Sequence, residues 1–446
     1  MLNNATSIRI NYPAVFFLLL SPFFALAQKS AADSLLQQAT LDNVVAYAIK
    51  HQPLIQQSFI DEQVTESLIK SKLADWYPQV DLRYNLQHNF QLQQAIIGGN
   101  IIKFGVDNTS AAQFTVNQNI FNRDVLLASR TKGDVLSSVK QSTTSNKIDV
   151  AANVSKAFYD VLASMQQIKV ADEGIVRLER SLKDATSRYN TGIADKTDYK
   201  RATIALNNTK AAKKSNEALL KAKLEYLKSL MGYPTSGDLN IVYDSLQMEK
   251  EMMIDTLQSP DYSKRIEYQL LTTRKRLQEA EVKYNKWSYL PSVSAYGAYN
   301  FNFQNNDFGK LYNRNFPTSY GGLTLTVPIL QGGKRKFDIQ QQELQLKRID
   351  WDFITLQHSF NAQYGQALAL YKSNTANYQA LKENVNLAKE VYDVIQLQYS
   401  AGIKTYLEVV SAETDLRTAE INYYDALYEL LSSKIDVEKS LGQINY

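Results

Sequence analysis

The chain has 446 residues, of which 21% are charged, and its formal net charge is +4. This near balance of charge gives no strong attraction to nucleic acid, and the absence of cysteine excludes disulfides, thiol catalysis and thiolate metal sites. The length suits two or three ordinary domains or one elongated structure.

The first 27 residues are typical of a cleaved export signal. Arg9 precedes an apolar run from Ala14 to Leu20, and Ala25-Leu26-Ala27 has the small residues of a signal cleavage site. The run is too short for a membrane anchor, and Pro22 interrupts it. We therefore predict a signal peptide at residues 1–27, and an exported chain that can enter a membrane as a β-barrel.

Two stretches with a period of two follow Pro78. Their apolar positions are Val80, Leu82, Tyr84, Leu86 and Phe90, then Ala112, Phe114 and Val116. The alternation predicts strands with one apolar face, joined by a polar loop near residues 91–109 in a β-hairpin at about 78–121. The strand length fits a membrane strand, and the apolar set is expected to face lipid. A soluble sheet with one wet face would show the same pattern.

A proline-free tract between Gln79 and Tyr233 carries a heptad ladder. The ladder residues are Val154, Phe158, Val161, Met165, Ile168, Ala171, Ile175, Leu178, Leu182, Ala185 and Tyr189. Steps alternating between three and four form one apolar stripe on a helix. We predict a helix from Asp124 to Tyr189, a stop at Gly192 and a return helix, which together form a long helical hairpin at about 124–231.

The second half of the chain repeats this plan. Ladder positions shifted by 210 residues run from Tyr364 to Tyr399, and ten of the eleven are apolar or aromatic. Period-two stretches predict a β-hairpin at about 291–330, with apolar positions that include Leu323, Leu325, Val327 and Ile329. A second long helical hairpin is predicted at about 334–440, turning at Gly402. The mature chain then divides into a first repeat at 28–240, an equatorial linker at 241–259 and a second repeat at 260–446.

Four strands are too few for a membrane barrel, since known barrels begin at eight strands and eight-stranded interiors are filled by side chains. A conducting barrel therefore needs at least three copies. The predicted fold is mainly α with membrane β, with long antiparallel helical hairpins and four strands per protomer. Three copies give twelve strands if the strands pair between protomers.

The order of motifs resembles that of the TolC-type outer-membrane efflux proteins over about residues 41–446. The motifs include Trp76-Tyr77-Pro78 and Tyr289-Leu290-Pro291 at strand entry, and the segment Tyr399–Leu416 around the second glycine turn. The resemblance implies a homotrimer with a twelve-stranded β-barrel in the outer membrane, and with a long periplasmic extension in which the helical hairpins form an α-barrel. It also implies a periplasmic adaptor and an inner-membrane transporter as partners, a role as exit duct in efflux or type I secretion, and no catalysis or cofactor.

The resemblance also assigns residues. Those at the periplasmic tip, expected to dock the adaptor, are Gly192, Ile193, Gly402 and Ile403. Those at the gate are Thr197, Asp198, Tyr399 and Lys404. Of two rings of carboxylates that favour cations in the family, the first falls on Glu408, whereas the second position is Ser411.

Other classes of protein fit the sequence less well. The chain has no Cys/His metal cluster, phosphate-binding loop or nucleophile elbow, and His51, His88 and His358 are scattered among unlike elements. A soluble periplasmic coiled-coil adaptor should carry a single hairpin flanked by β-rich modules, and a purely structural helical protein has no need of membrane-length strands. The cargo stays open among drugs, metal ions and proteins.

Overall fold

The computed structural model describes residues 36–243 and 252–446. The predicted signal peptide lies outside the described residues, as does the part of the predicted linker at 244–251. The first repeat contains α1 (Leu41–His51), α2 (Pro53–Ala74), β1 (Gln79–His88), β2 (Gln93–Ile97), β3 (Asn100–Phe104), β4 (Asn108–Phe121), α3 (Arg123–Asn190) and α4 (Lys196–Met231). The second contains α5 (Ile266–Lys286), β5 (Ser292–Asn305), β6 (Thr318–Thr326), α6 (Lys334–Ser400) and α7 (Tyr406–Leu441), with short 3₁₀ turns at Tyr262–Lys264, Trp287–Tyr289 and Phe308–Asn313.

The predicted mainly helical fold, with two long antiparallel helical hairpins and a four-stranded sheet, is confirmed. Helices α3 and α6 have 68 and 67 residues, so each is about 100 Å long at 1.5 Å per residue. Each is followed by a return helix of 36 residues. The two repeats therefore build nearly identical rods from different sequences.

The helices form a layer with two open edges. Helix α3 packs against α2 and α4 and also against α5 and α7, while α6 packs against α5 and α7. The order across the layer is therefore α2 and α4, then α3, then α5 and α7, then α6. One edge is α2 with α4, and the other is α6.

The sheet has the order β1-β4-β5-β6, with antiparallel pairing throughout. Leu82 lies opposite Phe114, and Phe114 lies opposite Tyr299. Leu325 lies opposite Val293 on the far strand. Since side chains alternate between faces with a period of two, this register places the predicted apolar positions of all four strands on one face.

The ends of the predicted strands needed correction. The expected polar loop at 91–109 contains the hairpin of β2 and β3, with Ile96 opposite Ile101. Gly98 and Gly99 have φ values of +59° and +84°, the conformation of the tightest hairpin turns. Phe90 lies beyond the end of β1, so it does not belong to the strand's apolar set.

Strand β6 was also misplaced at its end. It stops at Thr326, so Val327 and Ile329 lie outside the sheet. Pro328 lies two residues past this end, and proline cannot donate a ladder hydrogen bond. The strand instead extends toward its beginning, to Thr318.

The main hydrophobic core lies where the helices stack, midway along the molecule. It includes the fully buried side chains of Phe158, Leu162 and Leu430. The first residue of the predicted linker, Ile241, also lies here, since it pairs in parallel with Ala39 of the core. A smaller cluster is formed by Ala185, Ala202, Tyr399, Tyr406 and Val409 near the ends of the long helices. Within the described ranges, every helix lacks the combination of length and apolar character that crossing a bilayer requires.

Candidate functional site

The two long hairpins turn in the same way. Gly192 and Gly402 have φ values of +77° and +80°, the left-handed conformation that glycine adopts without steric penalty. The amide of Ile193 donates to the Arg188 carbonyl at 2.9 Å, and that of Ile403 donates to the Gln398 carbonyl at 2.9 Å. These bonds close the helix ends as in a Schellman motif.

The two turns lie at the same level and form one tip. The Arg188 guanidinium donates to the Ser400 carbonyl at 3.1 Å, which joins the last turn of α3 to the last residue of α6. Ile193 and Ile403 are 74% and 72% exposed. The tip therefore presents two apolar side chains that nothing in the described chain covers.

The return helices begin with different caps. Asp195 accepts a hydrogen bond from the Thr197 amide at 2.6 Å at the start of α4. At the start of α7, Thr405 and Glu408 form a capping box, and the Glu408 carboxylate accepts from the Thr405 amide at 2.9 Å. Both arrangements satisfy amide groups that a helix start leaves open.

Lys404 and Glu408 form an ion pair one helical turn apart. The Lys404 ammonium lies 2.6 Å from the Glu408 carboxylate. This hydrogen bond, helped by the Thr405 amide, lowers the pKa of Glu408 from 4.5 to about 2. Among the described residues no contact within 4 Å joins Lys404 to the Asp198 carboxylate. One protomer thus brings Lys404 to Glu408 and not to the other predicted gate residues.

Tyr399 lies inside the small cluster at the tip. It is 5% exposed and packs against Tyr406, with ring centroids 5.7 Å apart. The Arg188 guanidinium lies 4.6 Å from the centre of the Tyr399 ring. Burial raises the pKa of Tyr399, and burial raises that of Tyr406 to about 12. Tyr399 therefore ties the end of α6 to α3 and α7.

Thr197 and Asp198 occupy the first turn of α4. Partial burial and the neighbouring Asp195 carboxylate raise the pKa of Asp198. The negative charge of Asp198 also contributes to the raised pKa of Tyr399. Ala202 of α4 belongs to the same small cluster as Tyr399, so the first turns of α4 lie near the end of α6 in one protomer.

A buried ionic cluster lies in the hairpins further from the tip, and sequence reasoning missed it. Glu413 is 3% exposed, and neither carboxylate oxygen has a hydrogen-bond partner among the described residues. The Arg177 guanidinium lies 3.7 Å from Glu413 and 3.3 Å from Glu420. Arg417, from α7, hydrogen-bonds Thr209 of α4. Burial raises the pKa of Glu413. Ion pairs of Arg177 join α3 to α7, and the hydrogen bond between Arg417 and Thr209 joins α7 to α4.

Gly174 gives a sequence signal for this cluster that was not recognised. It lies within α3, where glycine weakens a helix. A β-carbon at this position would lie 3.2 Å from the Glu413 carboxylate. Glycine therefore makes room for a buried acid on the facing helix. By contrast, a β-carbon at Gly133 would meet no atom within 4 Å.

Comparison with known proteins gives a family. The family described as outer membrane efflux protein matches residues 44–233 and 269–443. The outer membrane protein TolC of Escherichia coli is 21% identical over 97% of this chain and 86% of its own. The alkaline protease secretion protein AprF of Pseudomonas aeruginosa is 21% identical over 67% of this chain and 61% of its own.

Solved structures show the same fold. The outer membrane protein VceC of Vibrio cholerae superimposes with a TM-score of 0.70 at 11% identity, over 90% of this chain and 96% of that protein. The family match extends over both repeats, including α3, α4, α6 and α7. This protein belongs to the outer membrane efflux protein family.

Proposed function

We propose that three copies of this chain form a passive exit duct in the outer membrane, which works with a periplasmic adaptor and an inner-membrane transporter. As a member of the outer membrane efflux protein family, the chain is an outer-membrane channel for efflux or secretion. The assembly with three copies, the two partners and the absence of catalysis are the proposed parts.

The observation that carries the proposal is that the sheet and the helical layer of one protomer both have open edges. The sheet has one apolar face, and among the described residues its outer strands β1 and β6 pair on one side only. The helical layer has free edges at α2 with α4 and at α6. A barrel closes such edges, and three four-stranded sheets give twelve strands, which is wide enough for an open lumen.

The orientation in the membrane follows from the strand faces. The face with Leu82, Phe114 and Tyr299 suits lipid, and the face with Asp81 and Arg83 suits a water-filled lumen. The paired turns at Gly192 and Gly402 then lie far from the membrane, at the periplasmic end. There we propose that Ile193 and Ile403 dock the adaptor and that Thr197, Asp198, Tyr399 and Lys404 form the gate.

The selectivity of the entrance is assigned to Glu408. Three copies would give a ring of three carboxylates, and a negative ring favours cations. Lys404 contacts each of these carboxylates, so part of the ring's charge is offset. Because Ser411 replaces the second carboxylate, we expect weaker cation preference than two complete rings would give.

The experiment begins with protein extracted from outer membranes in detergent. Native mass measurement should give a trimer of the mature chain, and the same sample should produce discrete conductance steps in planar bilayers. A single folded monomer or dimer without conductance would remove the duct. Crosslinkers placed at residues 193–196 or 403–406 should reach the adaptor in transporting cells, and their failure would remove the docking assignment alone.

A further inference from the structure

The open edge at α4 is basic and lined by small side chains. The helix contains nine Lys and Arg residues against three Asp and Glu. Opposite its buried face, Ile204, Ala211, Ala218 and Ala222 are exposed at helical spacing, with Lys200, Lys214 and Lys221 beside them. Among the described residues Lys214 has no acidic group within 4 Å. Small residues allow a second helix to approach closely, and the lysines favour an acidic one.

The open edge at α6 has the complementary features. Leu387, Val391, Val394 and Leu397 are between 52% and 70% exposed. Glu383 and Glu390 are exposed on the same side, and neither has a basic group within 4 Å among the described residues. Large apolar side chains with carboxylates beside them thus face away from the rest of the protomer.

Contacts inside one protomer fix the levels of the two edges. Arg188 contacts Ser400, so the ends of α3 and α6 are level. Asp172 precedes Arg188 by as many residues as Asn384 precedes Ser400, so Asp172 is level with Asn384. The Lys213 ammonium lies 2.6 Å from Asp172. Lys214 on one edge and Glu383 on the other are therefore at the same height along the rod.

We propose that the α4 edge of one copy packs against the α6 edge of the next copy, with Lys214 facing Glu383 and Ala211 facing Leu387. The inference rests on the proposed trimer and names its contact in the periplasmic part. Rotation about an axis parallel to the rods keeps every level unchanged, so residues at one height on the two edges meet in neighbouring copies.

Packing and charge both favour a second copy as the occupant. The helices α4 and α6 run in opposite directions. The alanines of α4 would pack against the large side chains of α6, as interdigitating helices require. The lysines of one edge match the carboxylates of the other. Like charges at such a contact would oppose assembly.

Disulfide formation tests the register directly, because the chain contains no cysteine of its own. The double variant Ala211→Cys with Leu387→Cys should form covalent dimers and trimers under mild oxidation. The single variants should not. The control Ala211→Cys with Ala376→Cys keeps the same edges but moves one thiol three turns along α6, and it should crosslink much less.

Charge reversal tests the ion pair. Lys214→Glu should raise the dissociated fraction on the order of tenfold at a fixed temperature, since three like-charged contacts form at once. Adding Glu383→Lys should restore the trimer. Lys210→Glu is the matched control, because Lys210 lies 2.8 Å from Glu179 of its own chain. Its effect should not be reversed by Glu383→Lys.

Failure of this contact can be told apart from failure of the duct. A conducting trimer in which the 211–387 pair forms no disulfide and the charge exchange restores nothing would overturn the register and leave the duct intact. Capture of a cysteine at position 211 by a periplasmic protein instead of a second copy would also overturn it. Absence of any trimer by native mass would instead remove the proposed function.

Discussion

Replacing Lys404 with Gln should make the cation preference of the channel depend on mild acid. The Lys404 ammonium, 2.6 Å from Glu408, is the largest cause of that residue's low pKa of about 2. At pH 4 a carboxyl with this pKa is about 1% protonated, whereas one at the ordinary value of 4.5 is about three quarters protonated. The parent channel should therefore keep its ring charge at pH 4. Lys404→Gln should lose part of it, up to that three-quarter limit, because the Thr405 amide still lowers the pKa of Glu408.

The effect of the substitution is largest at neutral pH. There Glu408 is charged in both proteins, and removal of three lysines leaves the carboxylates without a nearby counter-charge. Lys404→Gln should thus be more cation-selective than the parent at pH 7, and this difference should shrink towards pH 4, where Glu408 is partly protonated in the variant only. In the folded parent, the depressed pKa means that the Glu408 charge, and any stability it contributes, is lost only as pH falls through about 2.

Reversal potentials in a salt gradient across planar bilayers measure the cation preference of each channel at pH 4 and pH 7. Glu408→Gln is the reference channel, because it lacks the ring of carboxylates. Its cation preference should be lower than that of the parent and independent of pH between 4 and 7. Lys70→Gln breaks another Lys–Glu pair at one-turn spacing, 2.8 Å apart on α2, and should leave the pH dependence unchanged. If Lys404→Gln matches the parent at both pH values, Lys404 does not control the charge of Glu408.

Three further outcomes are expected. Asp198→Ala combined with Lys404→Ala should raise single-channel conductance, and an unchanged conductance would contradict the gate assignment. Leu82→Arg should destabilise the outer-membrane form by about 2–4 kcal/mol if the site lies near the bilayer midplane, and labelling of a cysteine at this position only from the pore would reverse the strand faces. Gly133→Ala should stabilise against heat by about 1 kcal/mol through helix propensity, whereas Gly174→Ala should gain less or destabilise because its new methyl group meets a buried carboxylate. Equal shifts for the two alanines would mean that the carboxylate moves aside freely.

The elements of the fold follow closely from the sequence. The ladder from Val154 to Tyr189 is set by a helical period, and the stops at Gly192 and Gly402 are set by the freedom of glycine at positive φ. Period-two alternation after Pro78 and Pro291 located β1 and β5. These signals are local, because each depends only on residues within a few turns or one strand.

Strand ends and loops were less well determined. The hairpin of β2 and β3 is carried by Ile-Ile-Gly-Gly-Asn-Ile-Ile at 96–102, a pattern that turn chemistry could have identified. The end of β6 depended on Pro328, whose missing amide closes the ladder earlier than the apolar alternation suggests.

The partners of charged side chains were decided only by the tertiary structure. The sequence places Glu408 and Lys404 one turn apart, but their capping box and short ion pair depend on where α7 begins. Glu413 and Arg177 are 236 positions apart in the chain, and no periodicity predicts that α3 and α7 would bury them together. The sequence determined the length, repeat and turning points of the rods through local backbone preferences. The axial position of one long helix relative to another decides which charged side chains meet. That position depends on packing across the whole helical layer, so only the folded chain reveals it.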